Sequence, residues 1–275
     1  MPEAAVGPTI REALSGATAM LAEAGCESPR LDAELLLADA LRVGRAQLVL
    51  DAGSSLDGGA AERFAALVAR RVDREPVAYI LGRKEFRHIA LAVDPRVLIP
   101  RPETELLVEV GLTVPDGGRV VDVATGSGAV ALALKHERLD LKVTGTDVSE
   151  EALAVARGNT ERLGLDVSFV RADLLDGVDG PFDAVLANLP YVAEREELQP
   201  EIARYEPAMA LYAGPDGLDV IRRLVSMVTG APLVALEVGA AQGDAVRELL
   251  ERAGFASTET LRDLAGHERV VLGRT

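Results

Sequence analysis

A chain of 275 residues, 48% of them apolar and 27% charged, has enough core-forming material for one large folded domain with a small companion, and its composition excludes a disordered polymer. Lys plus Arg number 29 against 44 Asp plus Glu, so the formal charge is −15, which disfavours a broad nucleic-acid-binding face because phosphate neutralisation needs clustered cations. The single cysteine, Cys26, excludes an intramolecular disulfide and a zinc site built on cysteines, and His88, His136 and His267 stand too far apart in the chain to suggest a metal centre, so no metal is expected.

The opening residues MPEAAVGPTIREAL do not join a cationic segment to a long apolar one, and no run approaches the roughly 20 apolar residues of a membrane span. Neither secretion nor membrane insertion is expected, and a reducing cytoplasm suits the cysteine count. Residues 9–74 have helical periodicity: Ile10, Leu14, Ala17 and Leu21 recur on one face, and Leu31, Leu35, Leu36 and Ala38 on another, which predicts four short helices. Gly25 stands where one helix should stop, Ser28-Pro29 offers a cap residue before a proline at the first helical position, and a glycine-rich loop precedes a last helix over 60–72. At Glu75-Pro76 the character changes. Residues 86–93 and 97–99 are β-rich and interrupted by Pro95 and Pro100, which predicts a hairpin-bearing connector over 75–100.

Apolar runs at 120–123, 143–145, 167–170, 184–187 and 233–236 then alternate with helical segments. Continuous apolar strands separated by helices predict a parallel sheet covered on both faces. The segments at 256–261 and 269–272 are joined without room for a helix and should close the sheet as an antiparallel hairpin. The predicted organisation is therefore α/β, with a helical domain over 1–74, the connector over 75–100 and the sheet domain over 101–275.

Two motifs carry chemistry. The strand at 120–123 runs into Ala124-Thr125-Gly126-Ser127-Gly128 before a helix opens at Ala129, so glycines let backbone amides approach a nucleotide-like ligand at a helix N-terminus. Asp122, Ala124, Thr125, Gly126 and Gly128 are the candidate cofactor-binding residues of that loop. Asp147, after the next strand, can accept both hydroxyl hydrogens of a ribose. Asp173, after the third, can meet an adenine amino group or simply cap a turn. The loop by itself suits a nicotinamide dinucleotide as well as S-adenosylmethionine.

The second motif, Asn188-Leu189-Pro190-Tyr191, follows the fourth strand at the carboxyl edge, where open α/β sheets place their ligands. An amide or aryl amino nitrogen is a poor nucleophile because its lone pair is delocalised. The Asn188 side-chain oxygen and the Leu189 carbonyl can each accept one N–H and turn that lone pair toward an electrophilic methyl. Pro190 confines Leu189 to an extended conformation and Tyr191 can pack on the flat acceptor group, so Asn188, Leu189, Pro190 and Tyr191 are the candidate catalytic residues.

With these motifs in place the sequence resembles the HemK/PrmC family of glutamine N5-methyltransferases, which act on class 1 peptide-chain release factors. The resemblance spans nearly the whole chain and rests on Pro76-Val-Ala-Tyr79-Ile-Leu-Gly82 with Glu85-Phe86, Leu98-Ile-Pro-Arg101-Pro102-Glu103-Thr104-Glu105, the cofactor loop, residues 188–191, Glu206-Pro207 with Ala210-Leu211, and Glu237-Val-Gly239 with Gln242. It implies a Rossmann-like class I methyltransferase fold: a mostly parallel seven-stranded sheet with a C-terminal antiparallel hairpin, preceded by a small helical domain that docks the protein substrate. It also implies S-adenosyl-L-methionine as cofactor, release factors as partners with no direct nucleic-acid contact, and positions for Arg101 and Glu103 near the cofactor, although Arg101-Pro102-Glu103-Thr104 also reads as a helix start. Glu206-Pro207 also reads as a turn. Two residues depart from the family pattern. Ala124 replaces the usual glycine, which is tolerated at negative φ and crowds the cofactor at positive φ, and Leu189 replaces the first proline of Asn-Pro-Pro-Tyr. The alternatives are an RNA adenine N6-methyltransferase, disfavoured by the charge and by helices that come first, and a dinucleotide-binding oxidoreductase or inactive binding module, which would leave residues 188–191 idle.

Overall fold

A computed structural model describes residues 7–228 and 230–275. Among the described residues, 7–82 with 199–205 form a helical unit, and those of 83–198 and 206–275 form an α/β unit. The helical unit contains α1 (Ile10–Glu23), α2 (Pro29–Leu41), α3 (Arg45–Leu50), α4 (Gly58–Val72), α5 (Val77–Leu81) and the short helix Pro200–Tyr205, which is α9 in chain order. α1 opens with a capping box in which Thr9 Oγ1 accepts the Glu12 N–H and the Glu12 carboxylate accepts the Thr9 N–H. Gly25, at φ +77°, follows its end, where the sequence predicts a stop. Ser28 precedes Pro29 at the start of α2 but makes no side-chain capping bond, so the start rests on the proline's preset φ. Ile10, Leu14, Leu21, Leu36, Leu37, Phe64 and Val68 form the core of this unit. Segment 199–205 is held to it by Glu201, which accepts hydrogen bonds from Arg71 (3.1 Å) and from Arg74, while Arg71 also donates to Asp32 at 2.8 Å.

The segment expected to be one connector over 75–100 divides. Ile80 of α5 packs into the helical core, and Gly82 in the left-handed region ends α5. The antiparallel hairpin β1 (Arg83–Phe86) and β2 (Ile89–Ala92) belongs to the α/β unit instead. Residues 97–99, expected to be β-rich, form no strand. Pro95 and Pro100 withhold ladder donors on either side, and the Ile99 N–H bonds to the Glu206 carboxylate at 3.1 Å.

The α/β unit continues with α6 (Glu105–Gly111), β3 (Arg119–Val123), α7 (Ala129–Glu137), β4 (Lys142–Asp147), α8 (Glu150–Leu163), β5 (Ser168–Arg171), β6 (Ala184–Ala187), α10 (Asp219–Met227), β7 (Leu233–Glu237), α11 (Gly243–Arg252), β8 (Ser257–Arg262) and β9 (Glu268–Arg274). Its seven-stranded sheet has the order β5-β4-β3-β6-β7-β9-β8, parallel through β7 and antiparallel at β9 and β8. Every residue of β6 and β7 is buried, as covering by helices on both faces requires. Val121, Val185, Leu224, Val234, Leu236, Leu250 and Val271 form its main core, each such side chain contributing roughly 1.5–3 kcal/mol. Among the described residues no helix is long and apolar enough to cross a membrane.

Candidate active site

The strand order reverses between the β3–β4 side and the β6–β7 side, so the sheet has its topological switch point between β3 and β6. Val123 lies opposite Ala187 in that parallel pair, so Ala124 and Asn188 leave the sheet side by side at its carboxyl edge. A cleft of about 870 Å³, including its open mouth, is bordered there by Ala124, Gly126, Asp147, Asp173, Asn188 and Pro190. Thr125 and Asp122 border an adjoining recess together with Thr104.

The glycine loop is shaped from within. Asp122 Oδ2 accepts the Thr125 hydroxyl at 2.5 Å and the Ala131 N–H at 3.2 Å. Burial pushes the Asp122 carboxyl up to about 7 against those two hydrogen bonds, with the Asp147 charge adding to the rise. Asp147 Oδ2 accepts the Gly126 N–H at 3.0 Å and its Oδ1 the Ser149 N–H at 2.9 Å, while burial raises its pKa. Gly126 and Gly128 both have positive φ, 56° and 84°, as the tight turn into α7 requires. Asp173 stands exposed on the cleft rim, with Oδ2 paired to Arg223 at 2.7 Å.

Ala124 has φ +58°, the crowded case, and Leu174 on the same cleft also has φ +58°. Two of the five described non-glycine residues with positive φ thus lie where a ligand would. Left-handed backbone costs an L-residue roughly 1–2 kcal/mol, and a glycine gives back about 0.5–1 kcal/mol through its freer unfolded chain. Ala124→Gly is therefore expected to raise stability by up to about 1 kcal/mol and to tighten cofactor binding; thermal melts and titration calorimetry check this, and a lower melting temperature counts against it.

Asn188 Nδ2 donates to Thr104 Oγ1 at 3.0 Å. The Leu189 side chain, 2% exposed, is part of the main core, so burial anchors the loop where the family uses a proline ring. Tyr191 packs on the same core, and its hydroxyl is 3.5 Å from Glu237 Oε1; burial first, and the Glu237 charge second, push its pKa up to about 12. Gln242 brackets the end of the tetrapeptide: its Nε2 donates to the carbonyls of Tyr191 (3.0 Å) and Asp216 (3.2 Å), and its Oε1 accepts the Gly239 N–H at 2.9 Å.

Arg101 and Glu103 border neither cavity. Arg101 is turned to Glu206 at 2.5 Å, and Glu103 acts by charge on Tyr191, Glu237 and Arg269. Glu206, part of the family resemblance and otherwise readable in sequence as a turn residue, is 6% exposed and pins both Ile99 and Arg101.

Asn159 of α8 had no signal in the sequence. It is fully buried; Nδ2 donates to the Ala92 carbonyl (3.1 Å) and the Ser127 carbonyl (2.8 Å), and Oδ1 accepts the Ala92 N–H (2.8 Å), so one side chain ties β2 to the cofactor loop. Asn159→Ala strands three backbone groups, the buried Ser127 carbonyl and the part-buried N–H and carbonyl of Ala92. A loss of about 3 kcal/mol, or a melting temperature lower by roughly 6–12 °C, is expected in a thermal melt; a shift under about 2 °C refutes the tie.

Residues 12–82 match the family model for the PrmC N-terminal domain, and residues 102–205 that for the methyltransferase small domain. The release factor glutamine methyltransferase of Deinococcus radiodurans is 41% identical, with 96% of this chain and 98% of that protein covered. The release factor glutamine methyltransferase of Geobacter sulfurreducens is 38% identical, with coverage of 97% and 96%. Among solved structures the hMettl16 catalytic domain in complex with the MAT2A 3'UTR hairpin 6 has a TM-score of 0.57 at 14% identity, covering 76% of this chain and 81% of that one, a likeness of fold.

Proposed function

The chain belongs to the release factor glutamine methyltransferase family, and from that premise we propose that it transfers a methyl group from S-adenosylmethionine to the side-chain amide nitrogen, N5, of a glutamine in class 1 release factors. The observation that carries this reading is the side-by-side exit of Ala124 and Asn188 from the sheet, which sets an amide-binding motif at the edge of a nucleoside-sized cleft.

The chain's groups fit the cofactor. The loop around Gly126 offers backbone donors, Asp147 is a partly buried acceptor at ribose position, and Asp173 on the rim can meet an adenine amino group. When bound, the cofactor supplies an electrophilic methyl on sulfonium sulfur. Asn188 Oδ1 and the Leu189 carbonyl accept the two N–H groups of the substrate amide, hold its nitrogen at the cleft and turn its lone pair out of conjugation. No general base is needed for attack, because the neutral amide nitrogen is itself the nucleophile; as the N–C bond forms the C–S bond breaks to leave a neutral thioether, and the surplus N–H proton of the methylated amide is lost to solvent. Glu206, through Ile99 and Arg101, fixes the segment that leads to Thr104. The helical unit is assigned to docking of the protein substrate, in a cytoplasmic setting.

Full-length protein is incubated with methyl-labelled S-adenosylmethionine and, separately, a release factor and ribosomal RNA. Label on a release-factor glutamine is the expected result. Label only on RNA adenine overturns the reading.

A further inference from the structure

We propose that Glu206 is a positioning residue for the cofactor: its carboxylate latches together two segments that wall the cleft, 96–98 and 207–210, and so slows the departure of the bound molecule. The inference rests on the reading of that cleft as the S-adenosylmethionine site.

A glutamate beside a proline suits a turn, and a turn asks only for an exposed polar side chain. Glu206 is buried instead, with its side chain 1% exposed. A carboxylate is almost never buried unless it is paired, and here both oxygens are engaged. Oε1 accepts a hydrogen from Arg101 Nη2 at 2.5 Å, and Oε2 accepts the Ile99 N–H at 3.1 Å. These partners lie 105 and 107 positions away, so the two bonds close a long stretch of chain and do not shape a local turn.

What the bonds join is two walls of one cleft. Arg96, Val97 and Leu98 border the cleft and run directly into Ile99, whereas Pro207, Met209 and Ala210 border it and follow directly on Glu206. Neither segment belongs to the sheet or to an α-helix. The first lies between Pro95 and Pro100, which have no N–H to give, and its Val97 N–H turns back to the Asp94 carbonyl at 3.1 Å. The second is a single 3-10 turn over Ala208–Ala210, in which the Ala210 N–H donates to the Pro207 carbonyl at 2.8 Å. Its far end is tied to the residue after the tetrapeptide: the Val192 N–H donates to the Leu211 carbonyl at 2.9 Å, and the Ala213 N–H to the Val192 carbonyl at 3.0 Å. Its near end is tied by Glu206 to the stretch that carries Ile99 and Arg101. Residues 207–210 are therefore a strap anchored at both ends, with the Glu206 carboxylate as one anchor.

Met209 is the part of the strap that a ligand would feel. Its side chain borders the cleft and is nevertheless 58% exposed, so a molecule lying in the cleft would take apolar Met209 surface out of water. That contact lasts only while the strap stays where Glu206 holds it. With the latch broken, both walls regain freedom and the bound molecule leaves sooner. Entry depends on encounter with an open mouth and changes far less.

The test measures association and dissociation rates of S-adenosylmethionine by surface plasmon resonance, together with melting temperature, for full-length wild type, E206Q, R101M, M209A and E206Q/M209A. In E206Q the side-chain oxygen can still accept the Ile99 N–H, but the new NH2 group meets the Arg101 guanidinium donor to donor. R101M breaks the same pair from its more exposed side, the arginine side chain being 30% exposed. Expected are dissociation rates about tenfold or more above wild type in E206Q and R101M and about threefold or more above it in M209A, with association rates within about threefold. M209A should melt within about 2 °C of wild type, because an exposed side chain contributes little to the core. The double variant should release the cofactor about as fast as E206Q alone, since an unlatched strap no longer sets Met209 on the ligand. A role confined to holding the fold together would not produce that non-additivity. Release within about twofold of wild type in M209A or in any folded latch variant, slower association in place of faster release, or a double variant equal to the product of its two singles would each overturn the inference. M209A keeps the test open even if both latch variants unfold, because its side chain is at the surface. A wild-type protein that does not bind S-adenosylmethionine overturns the functional reading and this inference with it. A wild type that binds it and methylates release factors, with variants that release it at the wild-type rate, overturns the inference alone.

Discussion

Replacing Asn188 by alanine is expected to lower kcat by about 10- to 100-fold while changing cofactor Kd by less than about threefold. The side chain joins Thr104 to the cleft, with Nδ2 bonded 3.0 Å from the threonine hydroxyl and Oδ1 free for the substrate. Losing a hydrogen bond to a desolvated amide removes roughly 1–3 kcal/mol of orientation, and each 1.4 kcal/mol is tenfold in rate. That loss falls on the reacting geometry and not on the adenosine end of the cleft, so it should appear in kcat with the substrate KM little changed. Asn188→Asp makes a sharper control, because it keeps an acceptor but cannot donate to Thr104. Single-turnover rates with labelled cofactor read both variants, and turnover within about twofold of wild type in Asn188→Ala removes Asn188 from the mechanism.

Asp147→Ala is expected to raise cofactor Kd by about 10- to 150-fold, with kcat at saturation changed far less. Its carboxylate now orients the Gly126 and Ser149 amides, and it sits at the end of β4, where a ribose would offer two hydroxyl hydrogens. Hydrogen bonds to a charged acceptor are each worth about 1.5–3 kcal/mol, which sets the lower figure even if only one is lost outright. Because burial raises the Asp147 pKa, the affinity should also weaken in acid, as the carboxylate gains a proton. Titration calorimetry decides, and an unchanged Kd assigns the ribose to other groups.

Local pattern made much of the molecule legible. The runs at 120–123, 184–187 and 233–236 have apolar side chains on both faces, which only a covered strand tolerates, and they became β3, β6 and β7. The stop at Gly25 and the proline start of α2 are equally local, although Ser28 itself makes no capping bond. Residues 97–99 were misread because the partner that takes the Ile99 N–H, Glu206, lies 107 positions away. Val77–Leu81 looked like part of a connector because nothing local says that Ile80 packs into the helical core. The contacts of Thr104 and Asn159 were illegible for the same reason: they are hydrogen bonds to Asn188 and to Ala92 and Ser127, far along the chain.

Residue type and order along the chain were determined by the sequence alone: a glycine loop after one strand, an Asn-Leu-Pro-Tyr tetrapeptide after another, and both strands in one parallel sheet. Those properties belong to residue type and to periodicity, which do not depend on distant partners. Tertiary structure alone decided that β3 and β6 are neighbours, so that Ala124 and Asn188 meet; that Ala124 has a positive φ; and that Leu189, in place of a rigid ring, is fixed by burial. Strand order, backbone sign and burial are set by contacts between segments far apart in the chain, and no local pattern carries them.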